Sequence, residues 1–200
     1  VSRKKAMTDH PIHELIAARW SPYSFEERPV RPSDLASIFE AARWSASSYN
    51  EQPWSFIVAT ADEQEEFERM LSCLGEWNQG WAKAAPVLVL AVTNQRFAKN
   101  GKENRAAVYD LGQAVANLVI EATARGLSVH QMAGILPDKA REIYQIPEHA
   151  DVWTALAIGY RGEAAALPDA LKEKDLAARE RKPLAQFVFS GRWGHSDYDG

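Results

Sequence analysis

Three polar clusters in this chain combine residue types able to grip a small ligand. Arg19-Trp20-Ser21-Pro22-Tyr23 sets a guanidinium two residues before a hydroxyl, a pairing suited to a phosphate; the same residues also suit a solvated helix end. Ser45 to Phe56 crowds the hydroxyl and amide groups of Ser45, Ser47, Ser48, Asn50, Gln52 and Ser55 into one loop, bracketed by apolar segments. Arg179-Glu180-Arg181-Lys182 forms a basic cluster near the end, which alone reads equally well as a charged, solvent-facing turn. The sequence has no GxGxxG turn, GxxxxGK[ST] loop, HExxH or GxSxG, and so lacks the commonest enzyme signatures. The five histidines are scattered without ligand spacing and Cys73 is the sole cysteine, so no intramolecular disulfide and no metal site is expected. No nucleophile with its base can be nominated from spacing. Any chemistry is therefore expected to belong to a bound cofactor.

The elements that must position these clusters follow from hydrophobic period. Ile12, Leu15 and Ile16 share a helical face that ends near Ser21-Pro22, because proline disfavours helix in the residue before it. Pro29 and Pro32 mark a loop, after which Ser33 is the expected cap of a helix carrying Leu35, Ile38, Phe39 and Ala42. Phe56 to Ala59 reads as a strand, followed by a helix capped at Asp62 that carries Phe67, Met70, Leu71 and Leu74. Val87 to Val92 is an unbroken apolar run of strand length. From about Arg105 to Arg125 the pattern is helical, with Leu111, Val115, Leu118, Val119 and Ala122 on one side and Ala116, Ile120 and Ala124 widening it. That helix is expected to be buried on most sides and closed at Gly126. Val129–Ala133 reads as a strand, Pro137–Tyr144 as a short helix and Val152–Tyr160 as a further strand. Beyond Gly162 the period is lost, and an aromatic tail with Phe187, Phe189 and Trp193 follows. The whole reads as one α+β domain over 1–200, with a flexible start at about 1–10 and a C-terminal extension at about 163–200.

The bulk properties agree with an ordinary globular chain: 46% hydrophobic, 25% charged, formal net charge -4. This balance gives no general electrostatic reason to bind nucleic acid. No apolar run approaches the ~20 residues of a membrane span, and the start does not read as a signal peptide. A cytoplasmic protein without nucleic-acid or membrane partners is the expectation.

Taken in order, the clusters resemble the nitroreductase family of FMN enzymes along nearly the whole chain. Arg19 and Ser21 match its early Arg-x-Ser, and Ser47, Ser48, Asn50, Gln52, Pro53 and Trp54 match its Ser-Ser-x-Asn-x-Gln-Pro-Trp loop. Asn78 to Pro86, Met132-Ala133-Gly134, Ala157-Ile158-Gly159-Tyr160 and the terminal Arg179 and Arg181 resemble later family segments. Tyr23 stands where many relatives carry a second basic residue, Ala46 where proline is frequent, and Glu51 adds a negative charge to the loop. The resemblance implies a nitroreductase-like fold, a mostly antiparallel central sheet flanked by helices, with an edge strand swapped from a partner's C-terminal tail. It implies an FMN site of Arg19, Trp20, Ser21, Tyr23, Ser47, Ser48, Asn50, Gln52, Asn78, Met132, Ala133, Gly134, Arg179 and Arg181, without a catalytic side chain. The arginines and Ser21 would hold the phosphate, the loop and Asn78 the ribityl chain or ring edge, and the backbone at 132–134 would approach the ring; Gln52 serves either loop shape or cofactor contact. It further implies a homodimer passing hydride from NADH or NADPH through the flavin to a small electron acceptor such as a nitroaromatic or quinone. The alternatives are a specialised flavin enzyme (dehalogenase, dehydrogenase or flavin-consuming) and a non-enzymatic flavin carrier or sensor.

Overall fold

Val87–Asn94 is apolar at nearly every position and forms β2, buried along almost its whole length. Such a strand needs cover on both faces, and it has it. The computed structural model describes residues 4–198. In it, β2 lies between β1 (Trp54–Thr60) and β4 (Ala150–Gly159), and β3 (Ser128–Met132) completes a four-stranded sheet in the order β1-β2-β4-β3. Every pairing is antiparallel, with Val89 opposite Val58 and Leu156.

Alternate residues of β2 feed two cores, as the two-residue period of a strand requires. Leu88, Leu90 and Val92 join Phe67 and Met70 of α3 (Gln64–Leu71), Trp81 of α4 (Glu76–Ala82) and Ala140 of α6 (Pro137–Tyr144). Val87, Val89 and Ala91 join Ile38 and Ala42 of α2 (Pro32–Arg43), and Leu111, Val115 and Leu118 of α5 (Ala107–Ala124). The expected antiparallel sheet between helices is present. Its swapped edge strand has no counterpart within the chain, because the tail beyond Pro183 holds a 3-10 turn, Leu184–Gln186, and no strand among its described residues.

Several local expectations are corrected. α2 starts at Pro32, so Ser33 is not its cap; a proline's missing N–H costs nothing in a first turn. Asp62 is not the cap of α3 either, since Glu63 occupies that position without a side-chain bond. α5 does end as the glycine suggested: Gly126 has φ +75, Leu127 N–H donates to Ala122 O at 2.9 Å and Gly126 N–H to Thr123 O at 3.1 Å. It is not buried on most sides, however. Leu111, Val115 and Leu118 face the core, but Ala116 and Ala124 remain exposed with Tyr109. The first helix, α1 (Glu14–Ala18), buries Ala17 and leaves Ile12 and Ile16 in solvent.

The two ends also differ from expectation. From Lys4 onward the start is tied down: Lys4 Nζ donates to Asp175 O at 2.8 Å and Ala6 N–H to Ala17 O at 2.8 Å. Residues 1–3 of the expected flexible stretch lie outside the described range. The extension's first part packs on its own chain, through α7 (Asp169–Leu176), whose Asp175 is buried, and through Arg179. Among the described residues no helix is long and apolar enough to cross a membrane.

Candidate functional site

α1 ends at Arg19, whose Nη1 donates to Ser21 Oγ at 3.3 Å. Arg179 reaches the same helix end from the extension, donating through Nη1 to Ala17 O at 2.7 Å and Lys4 O at 3.2 Å. A helix's last carbonyls are the natural seat of a cation. Arg19, Arg179, Arg181 and Lys182 then line one cleft with Asp9, its apolar walls formed by Met7, Ile12, Ile16 and Phe187. Burial holds the Arg19 guanidinium below its ordinary pKa, and the charges of Arg179 and Arg181 add to the effect. Arg179 is lowered for the same reasons, burial first and Arg181 second. Cations gathered against their own repulsion form a ready anion site. The structure thus unites Arg19 and Ser21 with Arg179 and Arg181 across some 160 residues of chain, as |i−j| = 162 for the Arg179–Ala17 bond shows.

A second group forms where β3 runs out. Met132 is buried, while Ala133 and Gly134 emerge at the surface. Asn78, turned inward from α4, donates through Nδ2 to Gly134 O at 2.8 Å, and Gly75 N–H donates to the same oxygen at 2.9 Å. A Cβ on Gly134 would come within 2.6 Å of Asn78 Nδ2, so this approach requires glycine. Two segments expected at the flavin ring therefore meet, and the Asn78 amide serves to fix the backbone of the other. Its Oδ1 accepts from Trp81 Nε1 at 3.3 Å.

Tyr23 and Trp20 are placed differently from the arginines. The Tyr23 ring sits among Trp77, Trp81 and His130, with centroids 5.6, 5.2 and 4.7 Å away, and not along the arginine cleft. Trp20 is buried, with Lys4 Nζ and the Arg161 guanidinium each 4.7 Å from its ring centroid. Sequence reasoning passed over Trp77, Trp81, His130, Arg161 and Asp175. The four-residue spacing of Trp77 and Trp81 astride Asn78 was an available helical signal; His130 and Asp175 carried none.

The loop before β1 is a strained turn. Tyr49, Asn50 and Gln52 have φ of +54, +55 and +51, the left-handed region that side chains other than glycine rarely adopt. Side-chain hydrogen bonds help to hold it there. Ser48 N–H donates to Asp110 Oδ2 at 3.0 Å, Gln52 N–H to Ser47 Oγ at 3.0 Å and Gln52 Nε2 to Asn50 O at 3.1 Å. Asn117 Nδ2 donates to Ser45 Oγ at 2.7 Å, and Glu51 accepts from Ala98 N–H at 2.6 Å. Ser47 and Gln52 are thus used to shape the turn, whereas the Ser48 hydroxyl and the Asn50 amide make no hydrogen bond among the described residues.

The loop and the arginine cleft lie at opposite ends of the molecule's layers. Ser48 is bound to Asp110 in the first turn of α5, and Trp54 pairs with Thr93 near the end of β2. Arg19 borders Gly126 and Ser128, past the last turn of α5, and Phe25 bridges Arg161, past the end of β4. An α-helix of this length spans about 27 Å. One chain does not bring Ser48 and Asn50 to the same small ligand as Arg19 and Arg181.

Comparison with known proteins places this architecture. The model of the nitroreductase family matches residues 16–77 and 63–160. An uncharacterized 15.4 kDa protein of Mycolicibacterium smegmatis is 34% identical over 138 residues, which is 68% of this chain and 90% of that one. A solved oxidoreductase containing FMN superposes with a TM-score of 0.91 at 32% identity, over 98% of this chain and 100% of that one. A nitroreductase family protein from Clostridium difficile 630 shares the fold at 21% identity, with a TM-score of 0.69 over 89% and 96% of the two chains. With its antiparallel sheet, its early and late arginines and its loop before β1, the chain belongs to the nitroreductase family and is an oxidoreductase of that family.

Proposed function

We propose that this protein is an FMN-dependent oxidoreductase that works as a homodimer, taking hydride from NADH or NADPH and delivering it to a flat electron acceptor such as a nitroaromatic or a quinone. The observation that carries the reading is the convergence of Arg19, Arg179 and Arg181 on one cleft, with Ser21 bonded to Arg19. These cations sit in mutual repulsion, which a phosphate dianion relieves, and forked guanidinium donors suit its oxygens. The FMN-containing relative of nearly equal length supports the same cofactor. When bound, FMN supplies two-electron redox chemistry between a reduced nicotinamide and an acceptor. The chain's own tasks are binding and orientation. Arg19, Arg179, Arg181 and Ser21 hold the phosphate, the Asn78–Gly134 pair fixes the backbone that approaches the ring, and the outward Ser48 and Asn50 groups supply polar contacts along the ribityl chain.

A homodimer is supported by the separation of the two halves of the site. A second copy can bring its Ser48 and Asn50 to the first copy's arginines. It also gives cover to the exposed face of α5 with Tyr109, and to Phe187 and Trp193 of the tail, all exposed in the single chain. The test is spectroscopic. Purified protein is expected to be yellow, and anaerobic NADH or NADPH to bleach it; colour without bleaching identifies a carrier. Combined Arg19→Ala and Arg181→Ala is expected to weaken FMN binding about a hundredfold or more, at ~1.5–3 kcal/mol for each charge-assisted contact. Normal occupancy in that variant refutes the phosphate assignment.

A further inference from the structure

α7 packs the half-buried Leu171 against the core, and the one residue it buries fully is a carboxylate: Asp175 is 1% exposed. A buried carboxylate is costly unless its charge or its acceptors are used. Asp175 Oδ1 accepts the backbone N–H of Tyr23 at 2.7 Å, its carbonyl oxygen accepts from Lys4 Nζ at 2.8 Å, and Oδ2 has no hydrogen-bond partner among the described residues. The segment it grips is also held elsewhere: the Tyr23 ring packs on Trp77 and Trp81 of α4, and hydrogen bonds join its neighbours to β3 and to the chain just beyond β4. His130 Nδ1 donates to Pro22 O at 2.8 Å, Ser24 Oγ donates to Glu163 O at 3.0 Å and Gly162 N–H to Ser24 O at 3.0 Å. Asp175 alone among these joins that segment to α7. Four residues before Tyr23 stands Arg19, and four residues after Asp175 stands Arg179.

We propose that Asp175 is a positioning residue for the anion cleft: by accepting the Tyr23 N–H it sets the segment carrying Arg19 and Ser21 at a fixed distance from the extension carrying Arg179 and Arg181. This rests on the phosphate reading given above. The segment and the extension each bring part of the guanidinium set, so a rotation of α7 by one residue would separate them. Asp175 touches no ligand itself; it acts through the backbone of Tyr23. Its effect therefore falls on the phosphate of a bound flavin and not on the ring, and this distinguishes it from a residue that merely stabilises the fold.

The test compares FMN with riboflavin, which lacks the phosphate, on the full chain stripped of flavin, by quenching of flavin fluorescence. Asp175→Ala removes the acceptor and is expected to weaken FMN about tenfold or more while changing riboflavin by less than about threefold. Asp175→Asn keeps an acceptor oxygen and is expected to hold the FMN-to-riboflavin affinity ratio within about threefold of the parent. An unchanged ratio in Asp175→Ala, whether both flavins bind normally or both weaken together, overturns the proposal. A ratio that collapses equally in Asp175→Asn overturns the assignment to the hydrogen bond. If the alanine chain does not fold, Asp175→Leu, which fills the site without an acceptor, takes its place, with the same collapse of the ratio expected and the same unchanged ratio overturning the proposal. The Arg19→Ala, Arg181→Ala variant serves as the control: a parental ratio there rejects the phosphate site itself, whereas a collapsed ratio there with a parental ratio in Asp175→Ala rejects only the role of Asp175.

Discussion

Gly134 owes its identity to the amide 2.6 Å from where its Cβ would stand. Gly134→Ala must push Asn78 aside or move the end of β3, and overpacking of this kind costs about 1–3 kcal/mol. Urea unfolding is expected to show that loss, and to show most of it vanish when Asn78 is already alanine, since the two residues share one contact. Equal losses in both backgrounds would place the strain elsewhere. Arg19 and Arg179 were legible in the sequence only through the resemblance to family segments, because a solvated helix end or a solvent-facing turn would carry the same residues. What they face was not. The carbonyls of Lys4 and Ala17 that seat Arg179 belong to the far end of the chain, and no spacing rule reaches across that separation.

Among the elements, β3 carries His130, a half-buried histidine that faces the aromatic group. Burial lowers the pKa of His130, against the pull of its bond to Pro22 and of the Asp175 charge, while Arg19 reinforces the lowering. Since a carbonyl only accepts, Nδ1 carries the proton in that bond. With the folded value below the ordinary 6.5, the unfolded chain takes up a proton first as pH falls. Stability from this group is therefore full above about pH 6.5, declines below it, and levels off under the folded value. Urea midpoints measured downward from neutral pH are expected to fall more steeply for the parent than for His130→Phe over that window; parallel curves would remove His130 from the acid response. Elements with a strong apolar period were readable, and α6 spans Pro137–Tyr144 as the sequence suggested. α7 was not, because its inward face pairs one half-buried leucine, Leu171, with a buried aspartate, and hydrophobic period is weak there. α4 was missed for a related reason: of its inward residues Asn78, Trp81 and Ala82, the first is polar, and Gly80 weakens the helical pattern.

For the whole molecule, the division of the site between the two ends of α5 makes a prediction about mixtures. Protomers lacking Arg19 and Arg181 and protomers lacking Ser48 and Asn50 each fail alone. Refolded together in equal amounts, half the dimers are hybrids, and each hybrid holds one intact site if the halves come from different subunits. FMN occupancy is expected to return to about a quarter of the parent's, by two-fold symmetry; no recovery on mixing would place both halves in one chain. Truncation after Leu184 removes the exposed Phe187 and Trp193 and is expected to reduce the dimer to monomers by light scattering. An unchanged dimer with bound flavin rejects the swapped tail. The layers themselves were visible in the sequence through the unbroken run in β2, but the exposed Ala116 and Ala124 were read as core. Sequence period marks an apolar face without saying which chain covers it. The left-handed residues of the loop before β1 carry a further consequence, for evolution and engineering. Each of Tyr49, Asn50 and Gln52 holds a conformation that costs about 1 kcal/mol or more, and Tyr49 is 91% exposed, so little packing in the single chain compensates it. Glycine at these positions would relieve the strain and make a hardier protein, yet it would also free the turn that presents Ser48 and Asn50. Here thermal robustness and a well-ordered binding surface are opposed, and selection for heat resistance alone would be expected to erode this loop first.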